Sequence, residues 1–304
     1  MSKVDKLLKS INTFIQKAEE EDEEKLIDIL PDIPELDEIP GLVEEFEKMT
    51  AKLLRQQRKL FLDELKAFIA KDDSETLGSL LNYFQNDLFA ADEFAVVFGV
   101  EAALFLTNTT SSLSKIIMES IDKDVAFNVL SKRTTDWIES WSEELAEIMK
   151  LNTHKAIETQ LIEAINAGES IAQVELRLKD LPQFDRKRAR TTAITEVLTA
   201  SSHAQFESYN QSPAVTGKQW KHSGYAKIAP RHTHVLLDGT IVGVNEKFDV
   251  DGELADYPRD PTLSAYNRVN CHCAMGPVVD EKIIGLSQEE KEAIRQEALQ
   301  ELNA

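Results

Sequence analysis

Residues 238–250, with the sequence DGTIVGVNEKFDV, indicate the fold class because they break the helical pattern that precedes them. Asp238 and Gly239 form a turn signal, since both residue types tolerate the positive φ that a tight hairpin requires. Short β-favouring runs follow over 240–244 and 247–250. We therefore predict that the chain after Pro213 is a small mixed α/β module with hairpins and loops.

The chain before Pro213 is predicted to be almost entirely helical. Apolar residues recur there at the spacing that places them on one face of a helix, over 42–149, 154–178 and 184–209. Residues 95–106 are apolar nearly all round, which is typical of a helix enclosed by its neighbours. The sequence thus predicts an α+β protein that is predominantly α-helical.

Two local patterns add detail to this prediction. Trp137 and Trp141 lie four positions apart on a predicted helix, and we expect them to pack in the core. Ser287 and Glu290 have the spacing of a capping box, which predicts the start of a final amphipathic helix over 287–302.

Four segments follow from these patterns. The first begins with an amphipathic helix over 4–15 and a run of acids at 19–24, and its three prolines predict an extended connector because proline lacks the amide donor of a helix. The predicted segments are 1–41 (acidic N-terminal helix and connector), 42–180 (helical domain), 181–280 (mixed module) and 281–304 (C-terminal helix).

The charge of the chain limits the partners it can have. A net charge of −20 argues against wrapping nucleic acid around the whole surface. The region 177–231 is different, because it carries ten cations against four acids. Within it, Arg186, Lys187, Arg188 and Arg190 open a predicted helix, where they could contact DNA phosphates without reading base identity. Alternatively, they are ordinary surface charges balanced by acids of the helical domain.

Hydropathy predicts neither a membrane span nor a secretory signal. The most apolar run is shorter than the roughly 20 residues that cross a bilayer, and no apolar segment of the signal-peptide type follows Met1.

Most of the histidines and both cysteines fall within the predicted mixed module. Thiolate and imidazole ligands suit zinc, and a tetrahedral site needs four groups that converge from separate segments. His232, His234, Cys271 and Cys273 are the candidate ligands of a structural zinc ion, with His222 as another fourth ligand. Alternatively, the two cysteines pack at alternate positions of a strand, the histidines make hydrogen bonds, and the protein has no cofactor.

Several uncommon sequence elements follow one another in a fixed order over the last third of the chain. They are a helix with Arg190, Thr191, Thr195 and Glu196, then Trp220, then Arg231, His234, Leu237, Asp238 and Gly239, and finally Asn270, Cys271 and Cys273. This succession resembles the phage Mu F-like head-morphogenesis family of minor head proteins. By this resemblance, Trp220, Arg231, Asp238, Gly239 and Asn270 are structural motif residues of the module.

The resemblance implies a non-enzymatic assembly protein of the virion. Such a protein is incorporated in few copies near the portal vertex and lies inside the procapsid during assembly. The implied partner is the phage portal protein, and scaffolding protein, major capsid protein and double-stranded phage DNA are further candidates. The implied location is the interior of the phage head in the virion, and the host cytoplasm during assembly.

An enzyme is the main alternative. A metal-dependent nuclease or toxin-like hydrolase would use His232, His234 and the two cysteines, with Asp238 or Asp256 moving protons. The sequence lacks a complete catalytic motif such as His-Glu-x-x-His and a Gly-rich phosphate loop, so we expect no enzymatic activity. A third hypothesis is a helical scaffold for a protein partner, in which the basic helix start is incidental.

Overall fold

A computed structural model of the chain describes residues 26–70, 76–224 and 230–304. The helix predicted over 4–15 and the acids at 19–24 lie outside these ranges. The described residues form a helical body followed by a small antiparallel sheet region, which confirms the predicted fold class. None of the helices in the described ranges combines the length and the apolar character that a membrane span needs.

The helical body contains short and long helices in succession. They are α1 (Leu26–Ile29), α2 (Ile39–Ile69), α3 (Leu77–Tyr83), α4 (Phe89–Ala91), α5 (Phe94–Ile121), α6 (Lys132–Ala167), α7 (Ile171–Lys179) and α8 (Arg186–Gln211). A π-helical segment, Phe84–Leu88, joins α3 to α4, and 3-10 turns cover Leu36–Glu38 and Pro182–Phe184.

Side-chain hydrogen bonds to backbone N–H groups cap the first turns of α6 and α8. The Ser131 hydroxyl accepts a hydrogen bond from the backbone N–H of Thr134 at the start of α6. The Asp185 carboxylate accepts one from the backbone N–H of Lys187 at the start of α8. Gly168 ends α6 in the left-handed conformation, with φ of 67°.

The mixed module and the C-terminal helices follow α8. Their elements are β1 (Val215–Lys221), α9 (His232–Leu237), β2 (Ile241–Gly243), β3 (Phe248–Val250), β4 (Glu253–Ala255), α10 (Ala265–Arg268), β5 (Ala274–Val279), α11 (Glu281–Ile284) and α12 (Gln288–Leu302). Strand β1 lies between β2 and β5, and both pairings are antiparallel. The predicted capping box is present, because Ser287 and Glu290 exchange backbone-to-side-chain hydrogen bonds at the start of α12.

The hairpin turn does not lie where the sequence predicted it. Asp238 has φ of −54° and only Gly239 is left-handed, so this dipeptide makes the turn between α9 and β2 rather than a hairpin. The hairpin forms at a second Asp-Gly dipeptide, where Asp251 and Gly252 have φ of 56° and 84° between the paired strands β3 and β4. Positive φ at both central residues matches the twist of the strands.

The predicted connector ends earlier than proline placement suggested. Pro40 lies in the first turn of α2, which begins at Ile39. This difference has a simple cause, because a proline in the first helical turn lacks only an amide that would have no partner within the helix.

The larger apolar core is shared by the helical body and the module. It includes Phe46 and Phe98 from the body as well as Trp220 and Met275 from the module. A second cluster, which includes Phe61, is formed mainly by residues of α2, α3, the π-helical segment, α6 and α7. The predicted domain boundary between 180 and 181 stays a prediction.

The other described residues do not enclose helix α5 on all sides, so this sequence prediction was wrong for the part of the chain that the structure describes. One side is buried through Phe98, Ala102 and Leu106. On the other side, Val96 and Leu104 are 71% and 59% exposed. An apolar composition on all sides indicates that burial of every face is favourable, but it does not indicate which group buries each face.

Helix α8 is polar in composition and yet buried along most of its length. Trp141 of α6 packs against it as predicted, 3% exposed, and Trp137 stacks on His203 with ring centroids 3.7 Å apart. The polar side chains of α8 are paired with groups from both the body and the module, which places this helix at the centre of the molecule. Buried polar members of α8 include Glu196, Thr199, Ser201, Ser202, His203, Gln205, Glu207 and Gln211.

Candidate functional site

Three of the predicted zinc ligands meet in the module. His234 Nδ1 lies 3.4 Å from Cys271 Sγ and 3.6 Å from Cys273 Sγ. The three ligand atoms all lie within 4.8 Å of one another, and each of the three residues is at most 3% exposed. Two sulfurs and an imidazole nitrogen form a donor set that zinc prefers. We call these three residues the His-Cys cluster.

The backbone around the two cysteines brings both thiols to the same side. Asn270 is left-handed, with φ of 54°, and its N–H donates to Thr195 Oγ1 of α8 at 3.3 Å. Asparagine is among the non-glycine residues that adopt this conformation most readily. The left-handed residue turns the chain just before Cys271, and β5 begins just after Cys273.

Arg259 stabilises this turn through hydrogen bonds to its backbone. Its Nη1 donates to the backbone carbonyls of both Cys271 and Cys273, and its Nη2 donates to Ser202 of α8. The guanidinium is buried, and this burial lowers the pKa of Arg259 from its ordinary value. Both cysteine carbonyls therefore face Arg259 while their thiols face His234.

The remaining motif residues position α9 around the His-Cys cluster. The buried ring of Trp220 meets the His234 ring edge-on, with centroids 5.7 Å apart. Arg231 donates to the carbonyl of Val269 at 2.6 Å. Asp238 accepts a hydrogen bond from the backbone N–H of His222, and the N–H of Gly239 donates to the carbonyl of Trp220. These contacts fasten both ends of α9, so His234 has a fixed place.

The two thiols differ in their acidity. A hydrogen bond with Cys273 lowers the pKa of Cys271, and the contact with His234 adds to this effect, whereas burial opposes it. The same hydrogen bond, together with burial, raises the pKa of Cys273. Thiolates bind metals and thiols do not, so Cys271 carries the more readily available ligand of the pair.

His232 does not join the cluster, so its selection as a zinc ligand was wrong. It begins α9 and is exposed, because the two-residue offset from His234 points it away on a helix. His222 accepts a hydrogen bond from the backbone N–H of Gly224 through Nδ1 and also lies outside the cluster. The same holds for Asp238 and Asp256 within the described residues, so the cluster has no carboxylate neighbour of the kind proposed for a hydrolase.

The four basic residues that open α8 do not form one surface. Arg188 is 3% exposed and donates to Thr153 Oγ1 and to the carbonyls of Met149 and Gln183. Its prediction as a DNA contact was wrong, because a buried guanidinium whose donors bind its own chain does not reach a phosphate.

Arg186 and Arg190 share one acidic partner. Arg186 Nε donates to one oxygen of Glu47 at 2.6 Å, and Arg190 Nη1 donates to the other at 3.1 Å. Glu47 belongs to α2 and is buried. The two arginines thus tie α8 to α2, although their side chains stay 76% and 45% exposed, and Lys187 beside them is exposed.

Sequence reasoning missed two buried carboxylates that hold α8 in place. Glu35 accepts hydrogen bonds from Ser201 and Gln205, both at 2.8 Å. Glu207 accepts from the backbone N–H and hydroxyl of Ser131 and from Thr134. The chain is rich in acids, and no local pattern separates these two from the solvated ones.

The comparison with known families matches the part of the chain that contains this site. The family described as Phage Mu protein F like protein matches residues 155–276, from the second half of α6 into β5. Residues 155–276 belong to the phage Mu protein F-like family. The predicted resemblance is confirmed, and the matched range contains all of the His-Cys cluster.

Curated relatives of the chain differ in how much of it they share. It is 56% identical over 301 residues to Uncharacterized protein YqbB of Bacillus subtilis. This alignment covers 98% of the chain and 99% of that protein. It is 29% identical over 145 residues to Minor head protein GP7 of Bacillus phage SPP1, covering 44% of this chain and 47% of that protein. The family and this relative support a role in phage head morphogenesis and a place in the virion.

A third similarity concerns a part of a larger protein. The chain is 31% identical over 166 residues to NAD(+)--arginine ADP-ribosyltransferase EFV of Enterococcus faecalis, and this alignment covers 54% of the chain and 31% of the transferase. No solved structure matches the chain.

Proposed function

We propose that this protein is a non-enzymatic minor head protein that joins the procapsid at the portal vertex through an apolar face of α5. The observation that carries the proposal is the row of exposed apolar side chains that α5 presents. Val96, Val100 and Leu104 recur every four residues and are 71%, 68% and 59% exposed, and Val97 beside them is 43% exposed. Apolar rows of this kind mark protein interfaces.

The apolar face of α5 suits a partner of defined chemistry. Exposed acids flank it at Glu93 and Glu101, and the whole chain carries a net charge of −20. A complementary surface would be apolar at its centre and basic at its rim. Family membership and the similarity to the SPP1 minor head protein support a phage head protein as that partner, and we assign it to the portal protein.

Co-expression with the portal protein of the same phage tests this assignment. Leu104→Asp places a charge in the apolar face, and Leu176→Asp on α7 is the matched control because the two leucines are 59% and 60% exposed. After nuclease treatment, we expect Leu104→Asp to reduce co-purification with portal at least about tenfold, since burying one leucine contributes about 1.5–3 kcal/mol. Equal retention of both variants would overturn the proposal, as would binding to scaffolding or major capsid protein alone.

The proposal assigns no contact with packaged DNA to the basic start of α8. Arg186 and Arg190 are committed to Glu47, and Arg188 is buried, so we expect the basic start of α8 to contribute structure rather than DNA affinity. An Arg186→Ala, Lys187→Ala, Arg190→Ala triple variant should bind double-stranded DNA no differently from the wild type at low salt. A salt-sensitive affinity that the triple variant loses would assign DNA binding to this helix.

The non-enzymatic part of the proposal has its own test. All three residues of the His-Cys cluster are buried, whereas a catalytic metal needs a coordination position that substrate can reach. We expect no hydrolysis of DNA or RNA by the purified protein with added divalent metal. Hydrolysis that disappears in His234→Ala would instead establish the nuclease alternative.

A further inference from the structure

We infer that His234, Cys271 and Cys273 bind a zinc ion that fastens α9 to the turn before β5. The distances support this assignment. Zinc bonds of about 2.3 Å to sulfur and about 2.0–2.1 Å to nitrogen, at a tetrahedral angle, place the two ligand atoms about 3.5–3.6 Å apart. The observed separations from His234 Nδ1 are 3.4 Å to Cys271 Sγ and 3.6 Å to Cys273 Sγ.

A hydrogen bond alone accounts for only part of this geometry. An imidazole N–H carries one proton and is strongest when it points at a single acceptor. His234 Nδ1 is instead almost equally distant from two sulfurs, and all three atoms fall within 4.8 Å of one another. This is the arrangement of three atoms around a common centre.

The surroundings of the cluster hold the ligands in place before any metal arrives. Arg259 fixes the carbonyls of Cys271 and Cys273, Asn270 sets the turn, and the ring of Trp220 bounds one side of His234. Ligands that are held in this way lose little conformational freedom on binding. A zinc ion with two thiolates and a neutral imidazole also carries no net charge, which suits a buried position.

Three protein ligands leave one tetrahedral position. Among the residues that the structure describes, the His, Cys, Asp and Glu side chains that converge are these three. We assign the fourth position to a water molecule. Because the ligands are buried, the metal serves to join two segments that are 37 residues apart in sequence.

Metal analysis of the full-length protein, purified without chelators, tests the assignment directly. We expect about one zinc per folded chain, and a cobalt-substituted sample with the visible absorption of tetrahedral coordination and sulfur-to-cobalt charge transfer. A folded wild-type protein that holds no zinc, takes up no cobalt and either titrates two free thiols or contains a Cys271–Cys273 disulfide would overturn the proposal.

Matched variants locate the metal. Cys271→Ser and Cys273→Ser should each reduce the zinc content and the charge-transfer absorption at least about tenfold, whereas His232→Ala should leave both unchanged because His232 is exposed on the same helix. Where a serine variant does not fold, chelator titration of the wild type replaces it, and its melting temperature should fall as zinc is removed. A melting temperature that does not change when chelator is added, or full zinc content in both serine variants, would show that the site is elsewhere or absent.

Discussion

Burial of Glu35 makes the stability of the protein depend on pH in a predictable direction. Glu35 is fully buried, and its Oε2 has no hydrogen-bond partner among the described residues. Burial raises the pKa of Glu35 from 4.5 to about 7, against the lowering effect of its hydrogen bonds with Ser201 and Gln205. The folded protein therefore binds a proton at Glu35 over a pH interval in which the unfolded chain does not.

The magnitude follows from the two pKa values. The interval from 4.5 to about 7 corresponds to about 3 kcal/mol, at about 1.4 kcal/mol per pH unit. Because the folded pKa is the higher one, this contribution to stability is fully present below pH 4.5 and is lost as the pH rises through about 7. Glu35→Gln removes the titration, so this variant should gain stability relative to the wild type as the pH rises.

Urea unfolding of the wild type and Glu35→Gln, from about pH 5 to about pH 8, measures this effect. The difference between their unfolding free energies should change by about 2–3 kcal/mol across that interval, in favour of the variant at higher pH. His203, whose pKa is lowered to about 3 by burial, affects both proteins alike and cancels in the difference. Glu38→Gln, at an exposed acid three residues away, should give a flat difference. A flat difference for Glu35→Gln as well would refute the reasoning, because Glu35 would then be ionised throughout.

Two further predictions concern contacts that only the structure shows. Glu207→Ala removes the acceptor for the Ser131 backbone N–H and two hydroxyls in the core, so its unfolding free energy should fall by about 3–5 kcal/mol, whereas Glu143→Ala at an exposed position should change it little; equal effects in chemical denaturation would contradict this. Gly217→Ala should destabilise the protein by about 1–3 kcal/mol, because the added Cβ would lie 2.8 Å from the carbonyl of β2. Gly41→Ala should have the opposite sign in the same assay, since its Cβ meets nothing within 4 Å in a helix; a stabilising Gly217→Ala would show that β1 and β2 separate readily.

The features of the fold that could be predicted from the sequence are those that depend on local periodicity and on helix capping. The long helices, the Ser287 cap and the position of Trp141 on the inner face of α6 each follow from side chains that are near neighbours along the chain. The hairpin shows the limit of this reasoning. Two Asp-Gly dipeptides are present, and only pairing between β3 and β4 selects Asp251-Gly252 over Asp238-Gly239.

The site was harder to predict because its residues are far apart in sequence. His234 and the two cysteines, which were selected from ligand chemistry, lie together in the structure, and zinc binding by them stays a prediction. His232 was selected for the same reason, and only the direction of α9 separates the two histidines. Arg188 has the same side chain as its exposed neighbours. Its burial depends on where α6 places the Met149 carbonyl and Thr153, which composition does not reveal.

The central position of α8 affects how truncated forms of the protein behave. In its first half, Arg188 donates a hydrogen bond to the Met149 carbonyl of α6, and Glu196 accepts hydrogen bonds from Trp141 of α6 and Arg268 of α10. A truncated product that starts at residue 181 would retain these ionic side chains without their counterparts from the preceding helices. We expect such a fragment to aggregate in solution, so crystallisation and binding studies should keep residues 26–304 in one polypeptide.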